Sequence, residues 1–544
     1  MYSIGIDFGT LSARAVLVDL NNGATVSESE FVYPHAVLTD QDFDNVVLEK
    51  TDAYQHPQDY LDALAFVTKD VLEQSQISPD QVVGVGIDFT SCTVLSLTED
   101  GVPLCFLDEF QNEPQAYAKL WKHHGAQKEA EEITDLAHKL GEPWIKNYGD
   151  NISSEWLFPK IMETLHKAPK VFDKCAYFSE AADWLVWQLT GEKVYGSCMA
   201  GYKACWNAET GYPDNRFWAQ LDPKLANIVG TKVGTNVQGT GTKAGCVNAL
   251  GAEFTGLKEG TVVSVPIIDA HAALPAVGIS EGEKLLLILG TSGAHIIMHE
   301  KQKEVVGISG SVKGGIIPNL VAYESGQAAV GDCFEWFVKN CVPESYEQEA
   351  KARGINVYQY LTEKASLLEV GGSGLLALDW FNGNRAPYVD FDLTGVILGL
   401  NLQTKPEEIF RALIESTAFG TKSIVDIYEK NGIAVKEIYA SGGISQKNRL
   451  MMQIYADVLG KEIKVIEAPQ AAAKGSAILA SMAGGYFDSF KEATKTLCKY
   501  TEIVYTPNQE NTEKYARLYK EYLTVSEFFA KNSILKNLKL EREQ

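Results

Sequence analysis

The tetrapeptide Asp7-Phe8-Gly9-Thr10 is the first set of residues in the chain whose types and spacing could do chemistry. The apolar residues Ile4 and Ile6 predict a strand before it, and the Gly-Thr turn that follows could present backbone amides to a phosphate. A second strand and turn of this kind places Gly290-Thr291-Ser292 after the apolar residues 285–289. Two ordinary β-hairpins would give the same pattern, because such turns are common. The pair favours a phosphate clamp formed by two related halves.

Phosphoryl transfer needs backbone amides near the phosphates, a metal held by a carboxylate, and a base near the acceptor hydroxyl. Asp7 comes just before the first turn and is the expected partner of Mg²⁺, through water because that ion keeps much of its hydration shell. Gly442 and Gly443 follow the predicted strand 437–441 and precede a helix. A flat base or a ribose could therefore approach the backbone at these two glycines.

Asp269 is the candidate base. It follows the apolar segment VVSVPII, so it is expected at a strand end that faces a crevice, where ligands bind in open α/β sheets. The alternative is a helix N-cap for the segment AHAALPAVG, because aspartate is a favoured capping residue. His271 is a weaker candidate, and we expect it to lie in the core or to support a neighbouring residue.

The composition narrows the class of protein. The chain has 544 residues, which predicts two or more domains, and its 48 basic and 71 acidic residues give a net charge of −23. Such a surface repels polyanions, so neither a nucleic acid nor a membrane is an expected partner. The start of the chain shows no signal peptide and the nine cysteines form no CxxC pair, so we expect a cytoplasmic protein without disulfides or structural zinc.

The predicted elements alternate between strands and helices, which indicates an α/β architecture. Their order repeats, which suggests a duplication with domains at 1–280 and 281–544. A strand pair is expected at 82–97 and a helix at 325–339. A further helix at 405–430 is introduced by Thr404 with a capping-box spacing. The tail from about 510 predicts an amphipathic helix with a frayed, charged end.

Five ordered motifs resemble the FGGY carbohydrate kinases between residues 2 and about 485. They are DFGTLSAR, VVSVPIIDAHAALPAVG, ILGTSG, GVILGLNLQTKPEEIFRALIESTAFG and ASGGISQKNRLMMQIYADVLG. The resemblance implies two ribonuclease-H-like domains of the actin, Hsp70 and hexokinase ATPase superfamily, with a cleft between them. It also implies ATP and Mg²⁺ as cofactors.

Within this family the chain is most similar to the L-ribulokinases. The similarity lies in DFTSC at 88–92 and in the segments 120–130, 148–160, 179–191 and 199–207. The chain has Trp121-Lys122-His123-His124 where many members have W-x-D-x-R. This departure weakens a transfer of sugar contacts from glycerol or xylulose kinases.

The resemblance implies a set of site residues. Those along ATP are Asp7, Gly9, Thr10, Ser12, Arg14, Gly290, Thr291, Ser292, Gly331, Gly442, Gly443 and Asn448. Those around the sugar are Ser91, Trp121, Lys203, Glu324 and Asp269, the last as general base. From the residues alone, Trp121 could equally be a core residue and Lys203 a solvated surface lysine.

The implied activity is the ATP-dependent phosphorylation of L-ribulose to L-ribulose 5-phosphate, a step of L-arabinose catabolism. The alternatives are a kinase for D-ribulose, ribitol or L-xylulose, and a non-catalytic sugar sensor or filament-forming ATPase of the same fold. The sequence leaves open whether the chain forms a homodimer.

Overall fold

The computed structural model describes residues 1–543. Its framework is two seven-stranded sheets. The strands of the first sheet are β1 Tyr2–Phe8, β2 Ser12–Asp19, β3 Thr25–Val32, β4 Val82–Phe89, β5 Lys243–Cys246, β6 Val262–Ser264 and β7 Ile267–Ile268. The strands of the second sheet are β8 Lys284–Leu289, β9 Gly293–His299, β10 Gly310–Lys313, β11 Val321–Gln327, β12 Glu437–Ser441, β13 Ile463–Ile466 and β14 Glu502–Tyr505.

The two sheets repeat one topology. Strand β1 pairs antiparallel with β2 and parallel with β4, and β8 pairs antiparallel with β9 and parallel with β12. At the far edge β5 runs antiparallel to β6, as β14 runs antiparallel to β13. The repeat confirms the expected α/β fold class with two related sheet-containing halves.

Helices cover the sheets and fill the insertions between their strands. The described helices are Pro57–Ser75, Gln127–Leu140, Leu157–Lys167, Pro169–Lys174, Ala181–Thr190, Ser197–Lys203, Asn215–Leu221, Ile228–Thr231, Ala249–Thr255, Asp269–Ala276, Gly331–Cys341, Glu344–Ala352, Val357–Ser366, Pro406–Lys430, Gly443–Lys447, Arg449–Leu459, Ala471–Ala483, Phe490–Leu497, Gln509–Lys531 and Ile534–Glu543. In residues 1–543 no helix is long and apolar enough to cross a membrane.

Three small sheets lie outside this framework. The largest joins Tyr54–Gln55, Ala118–Lys119, Val94–Leu97 and Tyr177–Glu180. The others pair Tyr195–Gly196 with Val237–Gln238 and Leu376–Leu378 with Val396–Leu398. A separate hydrophobic core lies beside the four-stranded sheet, and in it the ring of Phe158 stacks on Trp218 at 3.9 Å. This insertion positions the residues that follow β4 and the strand Ala118–Lys119.

Helix Ala471–Ala483 comes late in the chain but packs on the first sheet. A Cβ atom at Gly5 or Gly86 would lie 1.7 or 2.1 Å from a backbone oxygen of this helix, so only glycine allows the approach. Because the helix crosses between the two halves, the division of the chain at residue 280 stays a prediction.

Some predicted element boundaries were wrong. The predicted helix 325–339 begins only at Gly331, because residues up to Gln327 pair in β11. Helix Pro406–Lys430 confirms the strong helix, but its N-cap is Lys405 rather than Thr404. The tail after Lys531 was expected to fray, yet it forms helix Ile534–Glu543, anchored by salt bridges from Lys536 and Lys539 to acidic residues. All nine cysteines are free, as expected.

Candidate active site

Neighbouring strand ends bring two carboxylates side by side. Asp7 on β1 lies directly opposite Asp88 on the parallel strand β4. Asp88 also lies opposite Ile267 of β7, two residues before Asp269. Burial raises the pKa of Asp88 well above its ordinary value, and the negative charge of Asp7 raises it further. These strand ends therefore bring carboxyl groups together at the carboxyl ends of central strands of the first sheet.

Asp269 lies at the start of a helix but is not its N-cap, which is Ile268, so the capping alternative is wrong. It is the first residue of helix Asp269–Ala276, and its Oδ1 accepts a hydrogen bond from the backbone amide of Ala270 at 2.6 Å. Burial, followed by the charge of Asp7, raises the pKa of Asp269 to about 7. A carboxylate poised in this way is suited to accept a proton near neutral pH.

Lys203 and Glu324 bring the two halves of the molecule together. The Nζ of Lys203 lies 3.4 Å from a carboxylate oxygen of Glu324, which is carried by β11 of the second sheet. Lys203 is only 7% exposed, so it is not the solvated surface lysine of the alternative. Burial alone would raise the pKa of Glu324, but the charge of Lys203 and a hydrogen bond with His271 hold it well below its ordinary value.

His271 contacts the same carboxylate oxygen of Glu324 as Lys203 does. Its Nε2 lies 3.3 Å from the Glu324 carboxylate, and its Nδ1 lies 3.1 Å from the thiol of Cys198. The ring is buried, and burial lowers its pKa. His271 is therefore a buried residue that holds its neighbour, as the sequence indicated.

Trp121 lies beside the predicted first phosphate loop. Its indole Nε1 donates a hydrogen bond to Oγ1 of Thr10 at 3.1 Å, and the residue is 36% exposed. The structure thus rules out the core-packing alternative for Trp121. Ser91 is half-buried in the loop after β4, and the amide of the preceding Thr90 donates to the Phe8 carbonyl at 3.1 Å.

The predicted first phosphate loop is closed by its own backbone. The amide of Gly9 donates to the carbonyl of Ser12 at 3.0 Å. The side chains of Ser12 and Arg14 both donate to Oε1 of Glu30, a residue that the sequence analysis did not identify. Because Arg14 stands opposite Asp7 in the β-ladder, its positive charge also faces the carboxylates.

The predicted second phosphate loop leaves open space at Gly290. Its amide donates to the Ser292 carbonyl at 3.0 Å, and its own carbonyl accepts from the Gly331 amide at 2.9 Å. Thr291 accepts from the backbone of Val330 at 2.9 Å. A Cβ atom at Gly290 would meet only the Ser292 oxygen at 4.0 Å, whereas one at Gly331 would lie 2.8 Å from the Gly290 oxygen. The fold therefore needs glycine at 331 but not at 290.

The proposed adenosine side shows the same contrast. Gly442 has a positive φ of 99°, and a Cβ there would lie 2.5 Å from the Leu289 oxygen. A Cβ at Gly443 would meet nothing within 4 Å. Asn448 caps helix Arg449–Leu459 by accepting from the Met451 amide at 3.0 Å. Gly443 is thus free to face a ligand, while Gly442 and Asn448 also shape the backbone.

The sequence analysis missed the contribution of Asp88. Its Oδ2 accepts a hydrogen bond from Ser476 at 2.6 Å, but its buried Oδ1 has no hydrogen-bond partner among the described residues. Mg²⁺ prefers hard oxygen ligands, and the unpaired Asp88 oxygen beside the carboxylate of Asp7 fits that preference. The only available signal was the position of Asp88 at the start of DFTSC.

A second acidic cluster does not suit a metal. Asp52, His123 and Glu163 offer ligand atoms within 4.8 Å of one another. However, the ammonium groups of Lys119 and Lys167 lie 2.8 and 3.0 Å from Glu163 and already neutralise it. The Nδ1 of His123 accepts from the backbone instead. This cluster is a buried ion-pair network in the insertion.

Comparisons with known proteins agree with this geometry. The family model for the N-terminal domain of the FGGY family of carbohydrate kinases matches residues 2–276, and that for its C-terminal domain matches residues 285–484. Proteins named ribulokinase from Halalkalibacterium halodurans and Bacillus licheniformis are 46% and 45% identical. The alignments cover 99% and 97% of this chain, and 97% of each relative.

Solved structures show the same fold. The xylulose kinase of Rhodospirillum rubrum superposes with a TM-score of 0.81 at 23% identity, over 97% of this chain and 100% of that one. The ligand-bound xylulose kinase of Lactobacillus acidophilus gives a TM-score of 0.80 at 18% identity, over 97% and 98% of the two chains. With both family models matched in order along the chain, this protein belongs to the FGGY family of carbohydrate kinases.

Proposed function

We propose that this carbohydrate kinase transfers the γ-phosphate of ATP to the terminal hydroxyl of L-ribulose, giving L-ribulose 5-phosphate and ADP. Identities of 45–46% to proteins named ribulokinase, over nearly the full length of both chains, support the choice of sugar. The observation that carries the catalytic proposal is the convergence of Asp269 with the Lys203–Glu324 pair next to Asp7.

In the proposed mechanism Asp269 is the general base. One of its oxygens is held by the Ala270 amide, which fixes the carboxylate and leaves the second oxygen for the sugar. The carboxylate takes the proton of the terminal hydroxyl as the hydroxyl oxygen attacks the γ-phosphorus in line. The bond from phosphorus to the bridging oxygen breaks, and ADP leaves with that electron pair.

The side chains that we assign to the sugar site have complementary hydrogen-bonding chemistry. Lys203 donates hydrogen bonds and Glu324, held ionised by Lys203 and His271, accepts them. Successive hydroxyl groups of a pentulose offer both partners. Trp121 presents a flat apolar face for the carbon chain, and its bond to Thr10 places that face next to the phosphate loop. Ser91 adds a hydroxyl from the loop after β4.

The residues that we assign to ATP leave room for its phosphates and ribose and supply charged groups beside them. Gly290 and Gly443 leave their Cβ positions open, which would let phosphates and a ribose approach the backbone. Arg14 supplies a positive charge on the strand that faces Asp7. Asp7 and Asp88 would hold Mg²⁺, which when bound neutralises charge on the transferring phosphate.

Product analysis tests this proposal. The purified protein is incubated with ATP and, in parallel, with L-ribulose, D-ribulose, ribitol, L-xylulose or no sugar, and both ADP and the sugar phosphate are quantified. We expect the highest kcat/KM with L-ribulose. A preference for another acceptor contradicts the assigned sugar, and ADP release that no sugar increases would favour the non-catalytic sensor.

A cytoplasmic location stays a prediction.

A further inference from the structure

Helix Leu157–Lys167 carries a buried lysine that the proposed mechanism does not use. Lys160 is 0% exposed. Its Nζ donates to the backbone carbonyls of Cys92 and Leu120, both at 2.6 Å, and more weakly to that of Lys119 at 3.4 Å. It forms no salt bridge with any residue in the described range 1–543. The ammonium group is therefore held by backbone carbonyls.

The two close carbonyls belong to two different loops. Cys92 directly follows Ser91 in the loop after β4, and Leu120 directly precedes Trp121 after the strand Ala118–Lys119. Cys92 has a φ of 62°, in the left-handed region that is unfavourable for a residue with a side chain. The carbonyl of this strained residue is one of the two that Lys160 binds.

A neighbouring ion-pair network fixes the helix that carries Lys160. The ammonium of Lys119 binds the Glu163 carboxylate at 2.8 Å and the carbonyl of Lys160 at 3.0 Å. His123 bonds to the same carboxylate at 2.8 Å. Since Lys119 is already occupied, it cannot replace Lys160 between the two loops.

A buried cation without a carboxylate partner is expensive, and burial lowers the pKa of Lys160 to about 8. An apolar side chain of similar length would avoid that cost if packing were the only requirement. Instead, the hydrogen bonds from the Lys160 ammonium to the carbonyls of Cys92 and Leu120 suit a link between the two loops that carry these residues.

We propose that Lys160 is a positioning residue that fixes the spacing of Ser91 and Trp121 by binding the carbonyls of Cys92 and Leu120, and so sets which sugars fit between them. This inference rests on the proposed function, because Ser91 and Trp121 are assigned to the sugar there.

The test compares Lys160→Met and Lys160→Gln with the wild type. Lys474→Met is the matched control, because Lys474 is also buried and donates to a backbone carbonyl, that of Gly23 at 2.8 Å. The KM for L-ribulose, the KM for ATP, the selectivity over D-ribulose and ribitol, and the melting temperature are measured for each protein.

In Lys160→Met we expect the sugar KM to rise at least about tenfold, because hydrogen bonds from a charged donor are lost. The preference for L-ribulose should weaken and the KM for ATP should stay within about twofold. Lys160→Gln retains an amide donor and should recover part of the loss. The control should lower the melting temperature without changing sugar selectivity.

A lower melting temperature with unchanged sugar KM and selectivity would reduce Lys160 to a structural role and overturn the inference. If Lys160→Met does not fold, Lys160→Gln decides by the same measurements. Failure of both to fold also overturns it, because Lys160 would then be required for the fold itself. If the wild type prefers another pentulose, the proposed function fails separately, and the comparison is made with that sugar.

Discussion

At the scale of single residues, Asp269 is the clearest target. Asp269→Asn keeps an oxygen that can accept from the Ala270 amide but removes the base. We expect kcat to fall by about 10²–10⁴ while sugar binding, measured by calorimetry, is largely retained. Near-normal turnover in this variant would mean that Asp269 acts only at the helix terminus.

The raised pKa of Asp269 predicts a pH dependence. The base works only when ionised, so activity that depends on it is present above a pH of about 7 and lost below it. We expect kcat/KM for the sugar, which reports the free enzyme, to fall about tenfold per pH unit on the acidic side. A flat profile down to pH 5 would contradict the assignment. Asp269→Asn should lack this acidic limb.

At the scale of elements, the two strand-turn loops should act as ligand sites rather than as plain hairpins. Gly290→Val places a branched side chain in open space, so the protein should fold normally while ATP affinity and turnover collapse. Gly239→Val is a matched control, since a Cβ there meets nothing within 4 Å and one at Gly290 meets only the Ser292 oxygen at 4.0 Å. Calorimetry measures the affinity for ATP, and thermal melting measures whether each variant folds normally. Unchanged ATP affinity in Gly290→Val would show that the second turn is only structural.

At the scale of the whole molecule, the proposed site draws residues from both halves. Lys203 ends a helix inserted between β4 and β5 of the first sheet, Glu324 lies on β11 of the second sheet, and the two side chains already meet at 3.4 Å. Domain closure around a sugar would complete the site and exclude water from the phosphate. We expect the sugar with a non-hydrolysable ATP analogue to reduce the radius of gyration more than either ligand alone. An identical radius in all ligand states, measured by solution X-ray scattering, argues against a hinge.

The sequence by itself determined the local features of this protein. Apolar strands followed by glycine turns predicted both phosphate loops, and the order of the motifs predicted the family and its duplicated α/β fold. These features depend on residues close together in the chain, where strand period and turn chemistry can be recognised directly. Asp7 and Asp269 could be proposed as site residues because each lies at the end of an apolar segment.

Only the tertiary structure decided what the isolated polar residues do. Lys203 and Trp121 each had an ordinary alternative, and burial against Glu324 and the bond to Thr10 decided between the readings. The only local signal for Asp88 was its position at the start of DFTSC, and Lys160 had no recognisable local signal. Their partners, Ser476 for Asp88 and the carbonyls of two loops for Lys160, are distant in the chain. Sequence spacing describes neighbours along one element, whereas these contacts form only when separate elements pack together.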